Sequence, residues 1–306
     1  VDLRWQYVAG EIVQSNDGKK NEIKVDQTFF MNGDFALRYR PLYKKYHFVY
    51  ESRMRGNPSD DADIRDSLSS ADTRSLYFMA DDLPYNVFVM YGYYRPLFGN
   101  YSPDHTLISQ ELQAGALQAS KGYLIGPYES ISIGTAPNVP YGNIHIINSN
   151  LNSVSKIKGY AANLGLRFVS YGASVNYSYW NTTDGDTETE MHSMHLAGMY
   201  GPVVANYEGL SLARTTKEDL REGGLHFLDL HVKAYREIYG VFQYSISNIG
   251  RDLGPGSITQ TKLGAKGFLW PGVEVQMMYE HEEAKSTQAK QTVTGSALTT
   301  QIHLYM

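Results

Sequence analysis

The chain has 306 residues, a formal net charge of −5, 25 Tyr against 11 Phe, and no cysteine. The missing cysteine excludes disulfides, thiolate metal sites and covalent haem attachment, and the acidic balance gives no reason to expect nucleic acid. Mean hydropathy is −0.38 and no run approaches the ~20 apolar residues of a spanning helix, which leaves soluble domains or one large barrel.

From the N-terminus, strand-length segments fall near 3–14, 25–41, 46–57, 74–82, 86–96, 122–136, 141–149, 157–170, 172–182, 189–200, 202–214, 224–237, 239–250, 257–270, 272–284 and 296–306, sixteen in all. No basic-then-apolar leader stands at Val1, as expected of a processed chain. Side chains in a strand alternate faces with period 2, so each parity reports one face. In 46–57, Phe48, Tyr50, Ser52 and Met54 alternate with His47, Val49, Glu51, Arg53 and Arg55. In 172–182, Ala173, Val175, Tyr177 and Tyr179 oppose Ser174, Asn176, Ser178 and Trp180. Further on, Leu228, Leu230, Val232 and Ala234 oppose Asp229, His231, Lys233 and Tyr235, and Val273, Val275, Met277 and Tyr279 oppose Glu274, Gln276, Met278 and Glu280. The chain finishes with Leu298, Thr300, Ile302, Leu304 and Met306 on one parity. Charges in mid-strand need water on their face, and the opposite face needs an apolar neighbour. The predicted fold is therefore all-β: a transmembrane antiparallel up-and-down β-barrel, apolar outside and polar inside, forming a single domain over 1–306. The many Tyr suit interfacial girdles.

Connections alternate in length. Odd-numbered ones are polar and long, including Asn16-Asp-Gly-Lys-Lys, 57–73, Asn181-Thr-Thr-Asp-Gly-Asp, Thr215-Thr-Lys-Glu-Asp, Arg251-Asp-Leu-Gly-Pro-Gly and 283–295. Even-numbered ones are tight, as at Asp82-Leu-Pro-Tyr, Tyr171-Gly172, Gly201-Pro202, Tyr239-Gly240 and Pro271-Gly272. Outer-membrane barrels keep short turns periplasmic and long loops outside, which predicts both termini in the periplasm. The stretch 97–156 leaves fourteen or eighteen strands as alternatives. Its connection 97–121 has a helix-start signal at Ser102-Pro103-Asp104, with Leu107, Ile108, Leu112, Ala116 and Leu117 at helical spacing over 103–118. Two readings stay open: a constriction or plug folded into the lumen and carrying Asp104, His105 and Glu111, or a lid packed on the rim.

The parities place Arg4, Asp34, Arg38, Arg40, Glu51, Arg53, Arg55, Arg167, Asp229, Lys233, Glu274 and Glu280 toward the lumen. Arg38, Arg40, Arg53 and Arg55 gather on two adjacent strands, with Asp34 and Glu51 nearby. Such a wall either imposes a transverse field favouring anions or braces the barrel through ion pairs. No catalytic set is selected. His192 and His195 sit three apart and so point to opposite strand faces, and Glu280 and His281 do likewise. The acidic runs Asp60-Asp61-Ala-Asp63 and Asp184-Gly-Asp186-Thr-Glu188 are candidate Ca²⁺ loops without EF-hand spacing, and solvated loops are the simpler reading. Neither a cofactor, a resident metal nor an enzymatic activity is expected.

The whole pattern resembles bacterial outer-membrane β-barrels of the porin-like class. Locally, Tyr93-Tyr-Arg-Pro-Leu-Phe-Gly99 followed by Asp104-His105-Thr106 is similar to segments of porin-like barrels of uncharacterised role in Gram-negative envelopes. The resemblance implies an outer-membrane location and a lumen. Porins of the class end on Phe, whereas this chain ends Leu304-Tyr305-Met306. The functional expectation is a passive channel for small hydrophilic solutes or ions. The alternative is a structural barrel, plugged or partner-filled, that anchors a secretion, motility or electron-transfer assembly. Expected partners are outer-membrane lipid and lipopolysaccharide, with further copies of the chain or an envelope protein as candidates.

Overall fold

A computed structural model of the chain describes residues 1–16, 19–41, 45–55, 71–99, 127–137, 139–149, 157–217, 220–248, 256–286 and 291–305. Sixteen strands form: β1 (Asp2–Asn16), β2 (Lys19–Tyr39), β3 (Tyr46–Arg55), β4 (Ala71–Leu83), β5 (Val87–Tyr94), β6 (Tyr128–Thr135), β7 (Tyr141–Ser149), β8 (Ile157–Phe168), β9 (Ala173–Asp184), β10 (Thr187–Tyr200), β11 (Val203–Thr215), β12 (Leu220–Tyr235), β13 (Ile238–Ser247), β14 (Gly256–Trp270), β15 (Val273–Ser286) and β16 (Gln291–Tyr305). Each pairs antiparallel with its neighbours in sequence, and β1 pairs with β16 from Asp2↔Tyr305 to Asn16↔Gln291, closing the barrel. Closure leaves no strand edge, so every ladder group finds a partner without water. The count is the one that the alternation predicts, and fourteen and eighteen are both set aside.

Several connections expected to be long loops are strand instead. β9 runs to Asp184 and β10 resumes at Thr187, while Asn16 pairs with Lys19 across only two residues. The polar residues of the β9–β10 end are rich in Thr and alternate in sidedness, so this hairpin extends past the apolar belt instead of dissolving into a loop. At the opposite end the turns are tight. Trp270-Pro271-Gly272-Val273 has Gly272 at φ 79°, which is what the third residue of a type II turn requires after proline. The expected helix over 103–118 and the run 60–63 lie outside the described residues.

Apolar side chains stand exposed on the outer face all around the barrel: Phe35 and Leu37 on β2, Phe78 on β4, Ile131 and Ile133 on β6, Ile144 and Ile146 on β7, Leu164 on β8, Leu196 on β10, Leu263 on β14 and Ile302 on β16. A patch that encircles a molecule is far larger than water tolerates, and a bilayer is the solvent that suits it. Aromatic side chains mark its short-turn border: Tyr39, Tyr46, Tyr85, Phe168, Tyr171, Tyr200, Tyr235, Trp270 and Tyr305 all sit at strand ends there and are exposed. At the other border tyrosines meet polar partners on the neighbouring strand. Tyr177 Oη lies 2.6 Å from His192 Nδ1, Tyr207 Oη 2.7 Å from His226 Nδ1, and Tyr91 Oη donates to Glu129 Oε1 at 3.0 Å. Along β12, His226 and Tyr235 are nine residues apart. At ~3.3 Å per residue and a tilt of ~40°, such a separation spans roughly 23 Å, the height of a barrel's apolar band.

Candidate functional site: the inward wall

The inner face has two halves of different chemistry. Toward the short turns it is charged and wet. Arg38, with 67% of its side chain exposed, stands on β2 with its Nη2 3.6 Å from Glu51 Oε1. Arg40, one residue past β2, shares its parity and is exposed. Arg167 near the end of β8 is exposed and lies over the Tyr141 ring at 4.1 Å. Lys233 is exposed on β12, with Nζ 3.9 Å from Glu237 Oε1, and Glu274 on β15 pairs in register with His303 on β16. Asp229 is 3% exposed and holds His231 Nε2 at 2.9 Å.

Arg53 behaves differently from Arg38 and Arg40. It is 6% exposed, and its Nε and Nη2 donate to the two carboxylate oxygens of Asp34, each at 2.6 Å. Arg74 Nη1 on β4 donates to the same carboxylate at 2.9 Å. In the β3–β4 register Glu51 faces Ser75 and Ser52 faces Thr73, so Arg74 is the extra residue of a β-bulge. A bulge re-aims a side chain, and here it brings a second guanidinium onto Asp34 from a position the period-2 parity does not select. Of Arg55 only the backbone is described, paired with Asn32. Asp104, His105 and Glu111 lie outside the described residues.

Toward the long loops the inner face holds a large apolar cluster interleaved with buried polar groups such as Ser149, Thr182, Ser193, Glu208, Ser247 and Gln260, where alternation predicts a polar interior throughout. Ile147, Ala161, Trp180, Met191, Leu210, Leu212, Leu225, Phe227, Ile258 and Ala284 all point inward from β7 to β15 and pack with Phe98 as one buried cluster. Alternation explains the error: parity says which side chains face in, but not whether water reaches them. Phe98 belongs to the segment after β5, and that segment leaves the wall. Leu97 N–H donates to His145 Nε2 on β7 at 3.4 Å, and His145 Nδ1 lies 3.3 Å from Tyr94 Oη. The Phe98 and Trp180 rings meet edge to face at 6.2 Å, and Gly99 N–H donates to Ser178 Oγ on β9 at 3.0 Å. A Cβ on Gly99 would overlap the Glu208 carboxylate on β11, itself held by Ser193 Oγ at 2.7 Å. Residues 95–99 therefore cross from β5 to a wall six strands away, inside the barrel. Burying a Phe side chain contributes about 1.5–3 kcal/mol to holding this path.

Other inward charges are paired. Lys262 Nζ is 3.1 Å from Glu280 Oε2, and Thr299 Oγ1 donates to Glu280 Oε1 at 2.8 Å. Glu208, Lys262, His231 and His303 all share the inward parity of their strands. His145 shares the inward parity opposite Ile144 and Ile146, whereas Arg74 carried no such signal. On the outer face, His192 contacts Tyr177 while His195 is buried within, so the two do not share a site. Asp186, a candidate Ca²⁺ ligand, accepts from Lys217 Nζ at 2.7 Å instead.

No family model and no curated protein matches the sequence. Solved structures do. An in-vitro folded OmpT, an outer membrane protein of Vibrio cholerae in trimer form, superposes with a TM-score of 0.61 at 9% identity over 99% of both chains. OmpF of Salmonella typhi, in complex with daunomycin, gives 0.61 at 11% identity, covering 98% of this chain and 96% of that one. An anion-selective porin from Comamonas acidovorans gives 0.59 at 10% identity over 99% and 100%. At these identities the likeness concerns the fold alone, a closed antiparallel β-barrel, which this chain builds from sixteen strands.

Proposed function

We propose that this protein is an outer-membrane channel for passive diffusion of small hydrophilic solutes or ions, biased toward anions, and that it is not an enzyme. The observation that carries this reading is the inward wall toward the short turns, where Arg38 and Arg40 are exposed and the opposite side bears Arg167 and Lys233. Guanidinium groups stay charged at any physiological pH, so the field they impose is permanent. The segment 95–99 narrows the path on the long-loop side. The encircling apolar belt and its aromatic borders support a bacterial outer-membrane location with lipid and lipopolysaccharide as surroundings. Both termini share the short-turn end, which is the periplasmic end if the long hairpins face outward. Assembly into homo-oligomers fits the trimer form of one structural neighbour.

The buried apolar cluster favours a second reading, a plugged barrel that anchors an envelope assembly, because a dry inner face obstructs solutes. Planar-bilayer recording separates the two. Purified protein should add stepwise conductances whose reversal potential in a KCl gradient lies on the chloride side. A silent barrel, folded by its heat-modifiable migration on gels, would overturn the channel and leave the scaffold.

A further inference from the structure

Arg167 is an inward cation with no carboxylate partner among the described residues, and it is held in place all the same. Elsewhere on the wall Arg53 and Arg74 share Asp34, Arg38 has Glu51, and Lys262 has Glu280. Arg167 instead lies over the Tyr141 ring, with Cζ 4.1 Å from the ring centroid, while its side chain stays exposed. The ring is itself seated on β8. Tyr141 pairs in register with Gly165, where a Cβ would overlap the ring. Tyr141 Oη accepts from Asn176 Nδ2 on β9 at 3.3 Å. Asn176 and Asn163 exchange amide hydrogen bonds of 2.6 and 3.1 Å, and Asn163 Nδ2 also donates to Ser178 Oγ at 2.9 Å. Side chains of β8 and β9 thus fix one aromatic plate from β7, and the plate positions the guanidinium beside the short turn that follows β8.

A guanidinium is planar, always charged and weakly hydrated, and its N–H edges match the two oxygens of a carboxylate. Stacking on an aromatic face leaves those edges open and restricts the rotamers that a loose arginine would lose on binding. The Tyr141 hydroxyl receives its bond from Asn176 and has no acceptor for its own hydrogen among the described residues. It is therefore a second donor beside the guanidinium. The inward side chains around the stack, Asn143, Asn163, Ser174 and Asn176, are neutral. One fixed positive charge compensates a monoanion and leaves a phosphate dianion half compensated. A carboxylate takes both donors of a guanidinium edge, whereas a spherical halide cannot use that fork.

We infer that the Arg167–Tyr141 stack is a solute-binding subsite for small organic monocarboxylates at the short-turn mouth; this rests on the channel reading above and gives it a substrate class. The test records ion current through the whole protein in planar bilayers at constant KCl while potassium lactate is added to both sides. Relative to equal additions of potassium methanesulfonate, a monoanion without a planar carboxylate, lactate should reduce the conductance saturably. R167Q should raise the half-blocking concentration by about tenfold, the loss of a charge-assisted pair of hydrogen bonds. R167K keeps the charge without the fork and should raise it nearly as much. Y141L takes away the platform and should raise it roughly two- to fivefold. Heat-modifiable migration on gels shows that the variants fold. If Y141L does not, Y141F, which keeps the ring and loses the second donor, should still raise the half-blocking concentration by roughly threefold. A block by lactate no stronger than that by methanesulfonate, or one unchanged in R167Q or R167K, overturns the subsite and leaves the channel standing. A barrel that conducts no ions overturns the channel and the subsite with it.

Discussion

Asp34 on β2 and Arg53 on β3 face one another in register and are joined by two hydrogen bonds of 2.6 Å, one to each carboxylate oxygen. This fork-to-fork pairing removes Arg53 from service as a free cation of the lumen, although it shares the inward parity of Arg38. Structural and functional arginines thus stand side by side on one wall, and substitutions separate them.

Arg53→Gln should destabilise the barrel and Arg38→Gln with Arg40→Gln should not. Removing one partner of a covered ion pair costs 3–5 kcal/mol in general, and with Arg74 still on Asp34 we expect about 1–3 kcal/mol. Urea midpoints in detergent or lipid vesicles measure this. The exposed pair should change stability by under ~0.5 kcal/mol yet move the reversal potential toward cations, by less at high salt. A larger stability loss from the exposed pair than from Arg53 contradicts the assignment.

Gly99→Ala should loosen the segment that crosses the lumen. Gly99 has φ 64°, a left-handed backbone that alanine resists, and a Cβ would overlap the Glu208 carboxylate. The strain is met by withdrawing residues 95–99 from Ser178 and Trp180, since the strands behind them are fixed by the ladder. Single-channel conductance should rise or become noisy, while gel migration of the unheated barrel is retained. An unchanged conductance would show that these residues do not narrow the path.

The three tryptophans report the bilayer directly. Trp5 pairs edge to face with Phe30 on the outer wall at 5.4 Å, Trp270 is 65% exposed at the short-turn border, and Trp180 is 1% exposed inside. In single-tryptophan variants reconstituted with brominated lipids, Trp5 and Trp270 should be quenched several-fold more than Trp180. Strong quenching of Trp180 would turn the barrel inside out.

Orientation follows from hairpin length. Cysteine placed at Asp186, at the tip of the β9–β10 hairpin, should react with an impermeant reagent on intact cells. Cysteine at Gly201, in the opposite turn, should react only after the outer membrane is permeabilised. The reverse pattern would invert the barrel and both termini with it.

Strand number, closure and the identity of the lipid-facing parity were legible without coordinates, since each depends on local alternation that one residue's shift would destroy. Residues such as Leu228 and Leu230 against Asp229 and His231 report their own sidedness. Where β2 pairs with β3 the register is regular, and Asp34, Glu51 and Arg53 come together on the parity they share. Parity missed Arg74, because a bulge inserts one residue that no period anticipates. It also misread polar hairpin ends as loops, because solvent-exposed pairing carries no hydropathy signal.

What the sequence by itself determined is thus a wall: sixteen antiparallel strands, one face for lipid and one for the interior. Only the tertiary structure decided what fills that interior. Tyr94, His145, Phe98, Trp180, Gly99 and Glu208 meet across separations of up to 109 residues, between Gly99 and Glu208, and His303 meets Asp2 only where β16 closes on β1. Alternation is a property of neighbours along the chain, whereas a barrel's contents are set by closure, which brings residues face to face that no local pattern relates.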